Sequence, residues 1–178
     1  YISLADFDRV SMICIDDDVC DMCRNIRGKN FFHKITNTLE NVQYKKITGK
    51  SNIQNAIENY HQQWVRGITV LISDFFTQGS FDEILKYLTY NKQIVYVCHI
   101  LSSQEIHPNI NESVRLVDSE TGKALDITVT KALLNSYSKA LGNFKSQMEN
   151  TCLKWGAHYF QFSSDMVIEK MVKEVSIR

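Results

Sequence analysis

Asp74 is the residue whose position most suggests chemistry. It follows Ser73 at the end of the run Ile68 to Ile72, a continuous β-branched and leucine segment that reads as a strand covered on both faces. In an open α/β sheet, ligands bind beyond the carboxyl ends of the strands. A carboxylate there can hold a hard cation directly or through water, and its ordinary alternative is to cap the next turn. Ser51 is a second candidate, a hydroxyl at a predicted helix start. Thr48-Gly49-Lys50-Ser51 has the tail of a phosphate-binding loop, but Tyr44 occupies the place of the first required glycine, so that motif is excluded. Ser51 with Gln54 also fits a helix capping box, which explains the hydroxyl without a ligand.

Asp16-Asp17-Asp18, after the apolar run Val10 to Ile15, raise a different chemistry. A phosphoacceptor receiver domain places paired acids after its first strand, then an aspartate, a Ser/Thr and a Lys. Asp74, Ser102 and Lys123 can be set in those roles. The pattern breaks twice: an extra helix, Phe31 to Val42, separates the acids from Asp74, and Lys123 follows the glycine of a predicted hairpin turn. It also leaves about fifty C-terminal residues unexplained. The histidines at 33, 61, 99, 107 and 158 make no recognisable catalytic or zinc spacing. Cys20 and Cys23 form a lone C-x-x-C without the second pair a zinc site wants, while Cys14, Cys98 and Cys152 lie on apolar runs as small buried hydrophobes. Five cysteines suit a reducing compartment. No nucleophile elbow, dinucleotide loop or carboxylate dyad is present, and no enzymatic activity is expected.

The elements that must position these residues follow from periodicity. Val10 to Ile15 predicts a buried strand and Val19 to Ile26 an antiparallel return closed by Gly28. Phe32, Ile35, Leu39 and Val42 predict one helix, and Ile53, Ile57, Tyr60 and Trp64 another beginning near Ser51. After Ile68 to Ile72, Ser80 and Glu83 form a capping box before Ile84, Leu85 and Leu88. Gln93 to Leu101 is a further buried strand. Val114 to Val117 and Leu125 to Val129 flank Ser119-Glu120-Thr121-Gly122 as a hairpin with Gly at positive φ. The longest helix, from Lys131 to Trp155, keeps Leu134, Tyr137, Leu141, Phe144, Met148 and Cys152 in period and ends at Gly156. Tyr159 to Phe162 gives a last strand, and Val167, Met171, Val172 and Val175 a last helix. This order predicts a doubly wound, mostly parallel α/β sheet with helices on both faces, an antiparallel edge strand and an inserted hairpin.

The 178 residues suffice for one domain, and one proline with no low-complexity stretch gives no linker. Twenty basic and twenty acidic residues leave a net charge of +0, without the basic excess of a nucleic-acid binder. No apolar run reaches the roughly 18 residues that span a bilayer.

Several segments resemble one family, the von Willebrand factor A-like domain of the bacterial domain-of-unknown-function family 58. Asp8-Arg9-Val10 is similar to its "D-R-V-G", Gly49-Lys50-Ser51-Asn52-Ile53 to its "G-x-T-x-L", and Val70 to Phe75 to its "V-L-I-S-D-F". Arg115 to Gly122 resembles its "L-x-D-x-E-T-G" hairpin, and Tyr137 and Arg178 agree. The resemblance implies a metal-ion-dependent adhesion site in a protein-interaction module. Ser51 takes the place of its Thr and Asp74 of its Asp. The family's "D-x-S-x-S" loop after its first strand is absent, so the chain reads as residues 1–178 of a single domain truncated at its N-terminus, with Tyr1 to Ala5 as the tail of the next helix. By the same resemblance the intact parent takes Mg²⁺ or another divalent cation, and none is expected bound to this chain. The implied partner is a MoxR-type AAA+ ATPase, acting with the module in assembly or maturation of other proteins. The domain is expected in the cytoplasm, its parent tethered to a membrane by segments outside this chain. Alternatives are a receiver-like domain using Asp74, or a structural module with a degenerate metal site.

Overall fold

The computed structural model describes residues 1–15, 19–42, 53–59, 65–77, 79–109, 113–117, 122 and 124–176. They fall into two compact units: residues 1–61 with 77–79, and residues 62–76 with 80–178.

The first unit begins with a short helix α1 (Ile2–Ala5), followed by an antiparallel ladder of β1 (Arg9–Ile15) and β2 (Val19–Arg27). The pairing slips between Val10 and Met12, and there Asn25 takes a positive φ of 52° with its N–H on Ser11 Oγ at 3.1 Å. Asparagine tolerates that conformation better than most residues, so the bulge sits where the sequence can bear it. Gly28, at φ 86°, ends β2 as expected. A single 3₁₀ turn then leads into α2 (Phe32–Asn41), and α3 (Ile53–Asn59) follows. Cys23 ties α2 to β2, its Sγ 2.7 Å from Thr38 Oγ1 and 3.5 Å from the Lys34 carbonyl. Leu4, Ile26, Ala56 and Ile57 are the buried apolar residues here. Tyr60 and Trp64, expected on the α3 face, lie outside the described residues.

The second unit holds a three-stranded parallel sheet in the order β3 (Gly67–Ser73), β4 (Gln93–Leu101), β7 (His158–Ser163). Around it run α4 (Phe81–Tyr90), a short α5 (Ser103–Ile106), α6 (Lys131–Trp155) and α7 (Ile168–Ser176). A separate antiparallel pair joins β5 (Ser113–Val117) to β6 (Ala124–Thr128). Gly122, between these strands, has φ 69°, the positive angle the hairpin reading asks of it. Successive residues of β4 point to opposite faces. On one face Cys98, with Phe160 and Phe162 of β7, forms a cluster that Met171 and Val175 of α7 cover. On the other, Val95, Val97, His99 and Leu101 are buried, as are Ile84, Leu85 and Leu88 of α4 and Leu141, Met148 and Cys152 of α6.

The helix ends follow their local chemistry. Ser80 Oγ accepts from the Glu83 N–H, while the Glu83 carboxylate pairs with Lys86 at 3.0 Å. Thr130 caps α6 through the Leu133 N–H, and Gly156, at φ 67°, closes it in the left-handed conformation. Lys154 Nζ and Trp155 Nε1 both donate to Asp82 Oδ1, at 2.7 and 2.9 Å, so the end of α6 is pinned to the first turn of α4. These two donors hold the Asp82 carboxyl below its usual range.

One expectation needs correction. β3 is not covered on both faces: Ile68 and Ile72 are 66% and 70% exposed, and Val70 is exposed between them. Among the described strands β3 pairs with β4 alone, and the α7 cluster reaches β4 and β7 but includes no β3 residue. β1 and β2 form a ladder of their own, in a different compact unit from β3, and no described ladder joins β1 to β3.

Candidate functional site at the carboxyl ends of the parallel strands

The parallel register brings Ser73 opposite His99 and Leu101 opposite Ser163, so the segments after the three strands open on one sheet edge. Asp74 stands there with its side chain exposed. Its turn is built locally. The Phe75 N–H donates to Ser73 Oγ at 3.0 Å, and the Phe76 N–H donates to Asp74 Oδ1 at 3.1 Å. Short polar side chains that bond the backbone two residues on make such turns. The chain reverses at Phe75, whose φ of 58° is unusual for a bulky residue. Its ring is buried, 5.3 Å from Phe81 and 5.9 Å from the imidazole of His99. Side-chain burial thus holds the backbone in a conformation it would otherwise avoid.

His99 is fully buried, with Nδ1 2.7 Å from Tyr159 Oη and Nε2 without a hydrogen-bond partner among the described residues. Burial pushes its pKa down and Lys145 reinforces the shift, against the charge and backbone of Asp74 and the charge of Glu105. Burial likewise lowers the Lys145 ammonium. The sequence signal for His99 was one polar residue inside the apolar run Val95 to Leu101, and periodicity alone could not separate it from the other histidines.

After β4, Ser102 and Glu105 complete a reciprocal capping box: Ser102 N–H donates to Glu105 Oε2 at 2.6 Å, and Glu105 N–H to Ser102 Oγ at 3.1 Å. Ser-x-x-Glu is the signal that would have found it. Ser102, the hydroxyl a receiver would use, is thereby committed to the backbone. Ser102→Ala is expected to cost about 1 kcal/mol of unfolding free energy by urea titration. The Tyr137 hydroxyl donates to the Glu105 carbonyl at 2.7 Å, so α6 also holds α5. After β7, Asp165 accepts from Ser103 Oγ, which lies 3.1 Å from Ser163 Oγ.

Of the residues singled out by sequence, the structure places Asp74 and Ser102 at this edge. Ser51, Asp16 to Asp18 and Lys123 lie outside the described residues, as does the side chain of Cys20. Among the described residues no three His, Cys, Asp or Glu side chains converge to hold a metal ion. Of the two metal-ligand candidates only Asp74 is described, so the described residues do not make up a complete ligand set. The edge offers an anchored, solvent-facing carboxylate.

The family model described as "Protein of unknown function DUF58" matches residues 2–146. The chain belongs to the DUF58 family. This DUF58 chain is similar in fold to the conserved hypothetical protein BatB from Bacteroides thetaiotaomicron, at 16% identity and a TM-score of 0.50, covering 96% of this chain and 78% of that one. It is equally similar to an aerotolerance-related membrane protein from Bacteroides fragilis, again at 16% identity and TM-score 0.50, over 94% of this chain and 78% of that one. No curated protein matches the DUF58 chain. Among its described residues no helix is long and apolar enough to cross a membrane.

Proposed function

We propose that this chain is a protein-interaction module rather than an enzyme, of the doubly wound von Willebrand factor A-like kind, with Asp74 as its principal contact residue. The observation that carries the reading is the exposed Asp74 carboxylate at the carboxyl end of β3, presented by a turn with its own hydrogen bonds and a buried phenylalanine anchor. Carboxylates at this edge of an α/β sheet are positioned for ligands. Membership of the DUF58 family and the resemblance of Val70 to Phe75 to that family's strand end support the choice of Asp74 over other surface acids.

In this proposal Asp74 belongs to an adhesion site whose hydroxyl member is Ser51. The remaining ligands for Mg²⁺ or another divalent cation would come from outside the described residues. A bound cation would supply an open coordination position for an acidic residue of the partner. The proposed partner is a MoxR-type AAA+ ATPase, and the joint task is assembly or maturation of other proteins. We place the domain in the cytoplasm, on a membrane-tethered parent; the similar Bacteroides fragilis chain is described as a membrane protein.

The test uses affinity capture with the full-length protein. Wild type should recover a AAA+ ATPase, and Asp74→Ala should reduce recovery by tenfold or more, roughly the effect of removing one partner from a charged contact. Undiminished capture by the alanine variant would sink the metal-bridged reading. Melting curves of the two proteins should coincide within about 1 kcal/mol, since Asp74 is exposed.

A further inference from the structure

Asp74 is placed by its turn, and the turn rests on a buried imidazole. The β3–β4 register sets His99 beside Ser73, the last residue before the turn. The ring packs edge-on against Phe75 at 5.9 Å and 80°, and against Phe144 of α6 at 5.7 Å and 83°. Phe75 in turn lies between this ring and Phe81 of α4, 5.3 Å away. Phe75 keeps its positive φ of 58° while its ring is held in this packing, so ring and turn are set together. The Tyr159 hydroxyl holds the imidazole from the neighbouring strand, its Oη 2.7 Å from Nδ1 across the β4–β7 pair, and the Asp74 backbone also acts on the ring.

Packing alone does not account for a histidine here. Its Nε2 is buried without a hydrogen-bond partner among the described residues, an arrangement an apolar side chain of similar size would avoid. The group that gives the imidazole a specific orientation is the Tyr159 hydroxyl. We propose that His99, oriented by Tyr159, is the positioning residue of the Asp74 turn, acting through the Phe75 ring. The purpose of that positioning rests on Asp74 being the contact residue proposed above. The geometry does not, and the test reads the turn itself.

The Phe75 and Phe76 amides, bonded to Ser73 Oγ and Asp74 Oδ1, report on the turn directly. Their hydrogen exchange would be followed by NMR in the 178-residue chain and in Tyr159→Phe, His99→Leu and His99→Asn. Tyr159→Phe and His99→Leu should speed these two amides by about tenfold beyond any change in amides of β4 and α6, the factor given by losing roughly one hydrogen bond's worth of local order. Asparagine keeps an acceptor near the Nδ1 position but lacks the ring that packs on Phe75, so it should recover only part of the loss seen with leucine. Exchange at Phe75 and Phe76 that stays at the wild-type rate, or moves only in step with β4 and α6, would show His99 to be ordinary core and overturn the assignment. Acceleration in His99→Asn as large as in His99→Leu, or none in Tyr159→Phe, would overturn the role of the Tyr159 bond. Should His99→Leu not fold, Tyr159→Phe, which removes one hydroxyl, decides alone. Because neither metal nor partner enters the measurement, its outcome is independent of the Asp74→Ala capture experiment.

Discussion

Phe162→Ala should lower the free energy of unfolding by about 3–5 kcal/mol, the largest single-residue loss expected among the described residues. Phe162 is 2% exposed, in register with Ile100 of β4, and its ring stacks 6.1 Å from that of Phe160. With Cys98 and Phe160 it forms the floor on which Met171 and Val175 of α7 rest. Truncation forfeits the transfer energy of the ring and leaves a cavity that two parallel strands and a helix cannot readily close. Urea titration at fixed protein concentration measures the loss. Ile72→Ala is the informative contrast. Ile72 belongs to the same parallel sheet but is 70% exposed, so its truncation should cost less than about 1 kcal/mol. Equal costs at the two positions would mean that the outer face of β3 is covered, against the structure described above.

Alkaline pH should destabilise the chain through Cys152. This thiol, 1% exposed on α6, is pushed from 9.0 up to about 12, first by burial and second by the charge of Glu149. The unfolded chain releases the proton near the ordinary thiol value, whereas the folded chain keeps it until about 12. Between those limits the unfolded state binds fewer protons, so stability falls as pH rises. The contribution is intact below about pH 9 and is lost progressively towards 12, at no more than about 1.4 kcal/mol per pH unit for one group. Tyr159 is shifted upward as well, by burial first and then by Cys152 and Glu149, and adds to the slope at the upper end. Unfolding measured at roughly pH 8 and roughly pH 10.5 should show a smaller decline in Cys152→Ala than in wild type. Parallel declines would remove Cys152 from the account. The alanine variant itself should start slightly less stable, since a buried sulfur is lost.

The residues that locate the candidate site were legible because their signals are local. Asp74 is marked by the apolar run before it, and two helix ends by Ser80 and Gly156, whose side chain or φ acts within three residues. His99 was not legible as part of that site. Its role depends on Tyr159, sixty positions later, and on Phe144 in another element. In sequence it is simply one histidine among five. The capping box at Ser102 is the converse case: Ser-x-x-Glu is a local pattern and was open to reading.

The elements themselves are the contribution of the sequence. Continuous apolar runs placed the parallel strands, a glycine turn the hairpin and the period of 3.6 the long helix ending at Gly156, because each depends on residues a few positions apart. Tertiary structure alone decided which faces and edges those elements cover. Ile68 to Ile72 and Ile94 to Leu101 read alike as apolar runs, yet one has a bare face beside a single described neighbour and the other is flanked on both sides. Hydrophobicity states what burial would stabilise. Whether burial occurs depends on which distant strand or helix is within reach, and for β4 those are β3 on one side and β7 on the other.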